Sequence, residues 1–288
     1  MNTIQSRWLR LCSAAVGLLL AAGCGGGGQG AALATSISVT NILFSRTMTV
    51  TVSGSNLEGD SVEMTVDGPC ENIARVGTGS SQAQQFTCRI TGVGDLRPRI
   101  RRAGGLEIAS TRVTVPLPQV SMTVEQGDRE GIIILELDAA AAPVTSANFL
   151  NYVNSTFYRN TIFHRVEEGT LVEGGAYTTG RNLKSGTGAA IVLESANGLK
   201  NVRGTIAMAR GAEADSATSR FYLNLADNPA LDFGSAELPL GNAVFGRIIN
   251  GLDVADEIGK VITENDTAKG LPKAPETNVV ITAISQIR

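Results

Sequence analysis

The sequence predicts a mostly β protein in two folded parts: a small β-sandwich of the immunoglobulin-like kind, then a barrel capped by two helices. Three observations carry this. Apolar and polar residues alternate at period two in short runs over much of the 288 residues, the mark of half-buried strands. Helical spacing recurs in only two places, near 143–153 and 252–258, towards the two ends of the second part. Between the parts stands Pro116-Leu-Pro118, a pair of prolines that interrupts any regular element.

The chain opens on a segment of different character. Arg7 and Arg10 precede the apolar run Leu11–Ala22, which is too short to span a bilayer comfortably and reads as an export signal. The run ends Leu20-Ala-Ala-Gly-Cys24. Small residues directly before a cysteine resemble the lipobox of bacterial lipoproteins, and the resemblance implies cleavage before Cys24 and a lipid anchor on its sulfur. The alternative is an ordinary secretory signal cut nearby, and in either case the mature chain is exported. Gly25, rather than aspartate, after Cys24 implies by the same resemblance an outer membrane and a periplasmic location. Residues 1–23 are thus the signal, and 24–35, beginning with Gly25-Gly-Gly-Gly-Gln-Gly30, a flexible tether. Residues 36–117 form the sandwich and 118–288 the barrel.

The net charge of −3 moves to about −5 when Arg7 and Arg10 leave with the signal, which argues against nucleic acid as a partner. Of four cysteines, Cys12 leaves with the signal and Cys24 is the lipidation candidate. Cys70 and Cys88 remain, and in an oxidising compartment they read as a disulfide. With one histidine in the chain, a zinc set is the weaker alternative.

In the first part Met48, Val50 and Val52 alternate with threonines, as do Val62, Met64 and Val66, then Phe86, Cys88 and Ile90, with their polar neighbours. Arg97, Arg99 and Arg101 alternate with Leu96, Pro98 and Ile100. They read as a solvated edge strand, where charges and proline discourage sheet pairing. A basic face for anionic lipid or a partner is the alternative. In the second part, strands at Val120–Val124 and Ile132–Leu137 join through Gly127-Asp128. A helix follows from Pro143, with Val144, Ala147, Phe149, Leu150 and Val153 on one side. Further strands fall at Ile162–Val166 and Leu171–Glu173, then, past a loop over Thr178–Gly188, at Ile191–Glu194, Gly204–Met208, Arg220–Leu225 and Ala243–Ile248. Leu252–Ile258 is a short helix and Val279–Ile287 the closing strand.

The stretch Thr161–Gly175 holds the only histidine, His164, beside Arg165 in an otherwise apolar run. A long cation there is either paired inside the core or turned into a ligand groove, because an unpaired buried charge costs several kcal/mol or more. The motifs around it resemble the cyclophilins, particularly their bacterial branch: Asn148-Phe-Leu-Asn-Tyr-Val-Asn154, Asn160-Thr-Ile-Phe-His-Arg-Val166, Gly174-Gly175, Gly204-Thr-Ile-Ala-Met-Ala-Arg210, Asp215-Ser-Ala-Thr-Ser219 and Ala243-Val-Phe-Gly246. The resemblance covers about Val120 to Arg288. It implies an eight-stranded antiparallel barrel with two capping helices and peptidyl-prolyl cis-trans isomerase activity on proline-containing polypeptides, with no metal or cofactor.

The same resemblance makes Arg165 the catalytic residue. It implies a substrate groove over Phe163, Thr170, Leu171, Glu173, Ala209, Arg210, Arg220, Tyr222, Leu231 and Asn242. Several of these depart from the family pattern. Thr170 and Leu171 replace Phe and Met, Glu173 and Arg220 replace glutamines, and Tyr222 replaces a phenylalanine. Ala230, ahead of Leu231-Asp232, stands where an aromatic is usual, and Asn242 where a His or Tyr is. An Arg165–Glu173–Arg220 ion network is the expectation; the alternative leaves Glu173 and Arg220 in solvent. His164 reads as structural support and Glu167-Glu168 as a solvated turn. The expected activity is isomerisation of X-Pro bonds in exported polypeptides during folding. The alternative is a catalytically weak peptide-binding lipoprotein on the same fold.

Overall fold

The computed structural model describes residues 30–288. The signal, Cys24 and tether residues 24–29 lie outside the described residues. The chain divides into two compact units between Val115 and Pro116.

The first unit is built from strands β1 (Leu33–Thr40), β2 (Thr47–Ser55), β3 (Val62–Asp67), β4 (Cys70–Val76), β5 (Ala83–Ile90), β6 (Gly94–Arg102), β7 (Glu107–Ser110) and β8 (Val113–Val115). They form one sheet in the order β1-β2-β5-β4 and another in the order β3-β6-β7, with β8 also on β6. With β7 and β8 taken as one broken strand, this matches the strand order of constant-type immunoglobulin domains. The disulfide departs from that class. Cys70 and Cys88 are joined with Cα atoms 5.9 Å apart on β4 and β5, neighbours in one sheet, rather than across two sheets.

Two expectations for this unit are corrected. Residues 33–35, expected in the tether, belong to β1. The arginine strand β6 is central, not an edge. Arg99 donates to Asp67 on β3 and, at 2.9 Å, to Glu107 on β7, while Arg97 reaches Ser110 at 2.9 Å. Arg97 and Arg99 are therefore paired across strands while Leu96, Pro98 and Ile100 are buried on the other face. Pro98 is tolerated because Thr111 donates to its carbonyl, which turns the missing N–H towards the break between β7 and β8.

The second unit contains β9 (Gln119–Gln126), β10 (Arg129–Leu137), α1 (Pro143–Asn154), β11 (Thr161–Glu167), β12 (Leu171–Thr178), β13 (Thr205–Met208), β14 (Phe221–Asn224), β15 (Val244–Asn250), α2 (Leu252–Ile258), β16 (Thr263–Asp266), β17 (Leu271–Pro275) and β18 (Val279–Gln286). Eight of these strands close a barrel in the order β10-β15-β13-β14-β12-β11-β18-β9, every pair antiparallel. The helix α1 sends Phe149 into the barrel core, where its ring lies 5.2–5.4 Å from those of Tyr158, Phe221 and Phe245.

Three local readings change here. The buried face of α1 is Thr145, Ser146, Phe149, Leu150 and Val153; Val144 is exposed and gives its N–H to Glu194, which caps the helix from afar. Ile191–Glu194 is no strand, because only Ile191 makes a bridge, to Ala217, and Glu194 is committed to that cap. The hairpin β16–β17, which carries no clear alternation, is not among the strands the sequence predicts.

Candidate active site

One row of side chains crosses five strands of the barrel wall. Arg165 on β11 lies opposite Glu173 on β12, Glu173 opposite Tyr222 on β14, Tyr222 opposite Ala207 on β13, and Ala207 opposite Val244 on β15. Cross-strand partners share a face of the sheet, so the row is a continuous strip, charged at the β11 end and apolar at the β15 end. Phe163, Phe221 and Leu223, on the other face, are fully buried in the barrel core.

The charged end depends on a bulge. Phe163 pairs with Gly174 and Arg165 with Glu173, which leaves His164 as an extra residue of β11. Bulges re-aim side chains, and here both neighbours reach Glu173. Arg165 Nη1 donates to Oε2 at 3.3 Å, and His164 Nε2 lies 3.6 Å from Oε1. Arg220 completes the set, its Nη1 donating to Oε1 at 3.1 Å and its Nη2 to the Arg210 carbonyl at 3.1 Å. Glu173 is only 6% exposed beneath them. The structure thus brings together the three charges expected to form a network. Burial pushes the Glu173 carboxyl up, but His164, Arg220 and Arg165 outweigh it and hold it below the usual carboxylate value. At 3.6 Å the imidazole contact is too long for a full hydrogen bond, so the two arginines are the firmer partners.

A second irregularity lies on β12, where Gly175 and Ala176 fall between the pairs Phe163–Gly174 and Ile162–Tyr177. Gly175 has φ 89°, and a Cβ there would lie 2.7 Å from the Ser219 carbonyl and 2.9 Å from the Phe221 ring. No other residue fits that backbone and that closeness.

At the apolar end Leu171, Ala207, Ala209, Tyr222 and Val244 form one buried cluster, with Leu199 and Leu231 packed against it. The Tyr222 hydroxyl, which a phenylalanine would lack, donates to Asn201 Oδ1 at 2.7 Å, and burial pushes its pKa up. Asn201 in turn donates to the Leu231 carbonyl at 3.0 Å and to Asp232. The segment that carries Leu231 over the cluster is therefore pinned to the floor beneath it. Asn242 donates its backbone N–H to Leu231 at 2.9 Å.

The other expected groove residues differ in burial and partners. Phe163 is a core residue, fully buried and edge-on to Phe221, because the bulge at His164 puts it on the face opposite Arg165. Thr170 is exposed in the turn before β12, where its carbonyl accepts from Leu225 N at 2.8 Å and Asn228 Nδ2 at 3.0 Å. Arg210 turns its guanidinium to the carbonyls of Gly241, Gly211 and Ala212. Glu167 is not in a solvated turn: it is the last residue of β11, and it accepts from Arg165 Nη2 at 2.6 Å and from Lys273. Position i+2 from Arg165 on a strand could have revealed Glu167, and the spacing of Ala207 from Ala209 could have revealed Ala207. Lys273 and Asn201 had no local signal. Among the described residues no group of three or more His, Cys, Asp or Glu side chains is placed to hold a metal.

A half-exposed guanidinium fixed beside an apolar floor suits an extended peptide whose bond planarity is to be disturbed. Two inter-strand steps separate Arg165 from Tyr222, roughly 10 Å, the reach of about three extended residues. Twisting an X-Pro bond localises a lone pair on the prolyl nitrogen, and a fixed donor nearby favours that twisted state over either planar one. The fold and the site together define a prolyl-peptide isomerase scaffold.

The family model for cyclophilin type peptidyl-prolyl cis-trans isomerase/CLD matches residues 120–286. The chain belongs to this family. It is 50% identical over 135 residues to peptidyl-prolyl cis-trans isomerase A of Dickeya dadantii, covering 47% of this chain and 70% of that protein. It is 40% identical over 157 residues to peptidyl-prolyl cis-trans isomerase B of Escherichia coli, covering 54% of this chain and 93% of that one. A solved cyclophilin type isomerase of Cryptosporidium parvum superposes with a TM-score of 0.50 at 22% identity over 60% of this chain and 99% of its own, which shows the shared fold.

Proposed function

We propose that the mature protein is a lipid-anchored isomerase at the outer membrane that turns over X-Pro bonds in exported polypeptides and so assists their folding. The observation that carries the catalytic part is Arg165, 37% exposed at its side chain and held by carboxylates beside the Leu171–Tyr222 cluster. The lipobox-like ending at Cys24 supports the anchor, and the Cys70–Cys88 disulfide fits an oxidising compartment. The first unit, read as an immunoglobulin-like sandwich, serves as spacer or docking module.

A second reading keeps the groove and loses turnover. It is favoured by Thr170 and Ala230, both exposed, where family members place aromatic rings. Each missing ring withdraws roughly 1.5–3 kcal/mol of burial from a bound proline. A protease-coupled proline-peptide assay decides: the wild type should exceed Arg165→Ala at least tenfold, and equal rates leave the peptide-binding reading. Labelled palmitate, incorporated by the wild type and not by Cys24→Ala, tests the anchor.

A further inference from the structure

We propose that Glu167 is a positioning residue for Arg165, and that the β16–β17 hairpin holds Glu167 in place through Lys273. The inference rests on the isomerase reading of the site. Glu167 Oε1 takes Arg165 Nη2 at 2.6 Å, while Glu173 Oε2 takes Nη1 at 3.3 Å. The two carboxylates thus grip different terminal nitrogens of one planar fork. A single acceptor would leave the guanidinium free to swing about its bonds; two acceptors on different nitrogens fix its plane and leave its remaining N–H groups to face a peptide.

The two carboxylates differ in their surroundings. Glu173 is buried in the wall and shared between two arginines. Glu167 is half-buried, and its charge is matched by Lys273 from β17. Its carboxyl lies below the usual value, the Lys273 contact being the largest cause. Glu167 therefore adds an acceptor at Arg165 while its own charge is neutralised from the other side.

The hairpin behaves as a fixed arm. Its Leu271 and Ala274 are buried, and β17 lies against β11. Arg181 fastens it, donating to Glu264 at 2.6 Å, to Asp266 at 2.9 Å and to the Pro275 carbonyl at 2.6 Å. Lys273 itself has φ 53°, a conformation uncommon outside glycine, kept by its N–H bond to Asn265 Oδ1 at 3.1 Å. That left-handed turn sits at the residue whose ammonium contacts Glu167.

The test uses the full chain in detergent, with exchange NMR on a proline peptide to separate kcat from KM. Glu167→Ala should lower kcat about fivefold with KM unchanged, a displaced donor being costly to turnover. Glu167→Gln, which keeps an acceptor oxygen, should recover most of that loss, and Lys273→Ala should lower kcat about twofold. Slow rotation of the Arg165 Nη groups in nitrogen-15 spectra should be present in wild type and Glu167→Gln and lost in Glu167→Ala. Unchanged kcat in Glu167→Ala, a loss confined to KM, or Glu167→Gln as slow as Glu167→Ala overturns the role of Glu167; wild-type kcat in Lys273→Ala overturns that of the hairpin. If wild type is no faster than Arg165→Ala, the isomerase reading has failed instead, and the rotation signature alone then decides whether Glu167 fixes the guanidinium.

Discussion

Replacing Glu173 by glutamine separates what its charge does from what its oxygens do. The side chain faces Arg165 at 3.3 Å, Arg220 at 3.1 Å and the His164 ring at 3.6 Å. Glutamine fits the same space but has one acceptor oxygen, so its amide N–H must face a donor and one arginine loses its partner. A buried charged hydrogen bond is worth roughly 1.5–3 kcal/mol. Arg165 and Arg220 are 37% and 38% exposed, so solvent screening reduces each pair to about 0.5–1 kcal/mol. The loss is then roughly 0.5–1 kcal/mol, or about 1–4 °C in Tm for a domain of this size. Calorimetry at several pH values checks it. Because the folded carboxyl titrates below its ordinary value of 4.5, its contribution is complete above that pH and is lost as pH falls through the lower folded value. The gap between wild type and Glu173→Gln should therefore be full at neutral pH and close in acid.

The same substitution should raise the isomerase rate. Glutamine keeps an acceptor near Arg165 but no longer offsets its charge, and charged donors bind more strongly than neutralised ones. A gain of about 0.5–1 kcal/mol at the transition state is roughly a two- to fivefold rise in kcat/KM. A less stable and faster variant is the expected outcome. An unchanged rate with unchanged Tm would mean that Glu173 neither holds nor tunes Arg165, and the account of the charged strip would be wrong.

Two further outcomes follow from the structure. Tyr222→Phe removes the 2.7 Å bond to Asn201, whose Oδ1 keeps only the 3.3 Å contact from Asn224; urea titration should show a loss of about 1 kcal/mol. Reduction of Cys70–Cys88, which closes a loop with a sequence separation of 18, should destabilise the first unit by about 3 kcal/mol on the chain-entropy view, read as an earlier unfolding transition in dithiothreitol.

The barrel was legible in the sequence because its strands are short, alternating and bounded by turn residues, and the order of motifs from Asn148 to Gly246 carried the family. What escaped was whatever depends on a distant partner. Alternation in β6 is the same whether a strand is central or at an edge, and only Asp67 and Glu107 on the flanking strands tell the two apart. Glu194 looked like a strand residue because its cap lies at Val144 and Thr145. Phe163, given to the groove by the resemblance, faces the core beside Gly174 because of the bulge at His164, which alternation alone does not show. The Arg165–Glu173–Arg220 grouping was within reach because the resemblance sets Glu173 and Arg220 at two groove positions beside Arg165. Lys273 was out of reach because 106 residues separate it from Glu167.

The charged strip gives position and charge to different groups. A guanidinium with a single carboxylate partner would be held and offset by the same atoms, so firmer holding would mean a weaker catalyst. Here Glu167 holds Arg165 while Lys273 answers its charge, and Glu173 holds Arg165 while Arg220 takes a share. The alternation of Lys273, Glu167, Arg165, Glu173 and Arg220 leaves a cation at both ends and one in the middle. On the proposed isomerase reading, a donor fixed at two nitrogens then keeps part of its charge towards the groove, where the twisted prolyl nitrogen needs it. Arg220 and Lys273 are the cations that balance the two carboxylates beside Arg165.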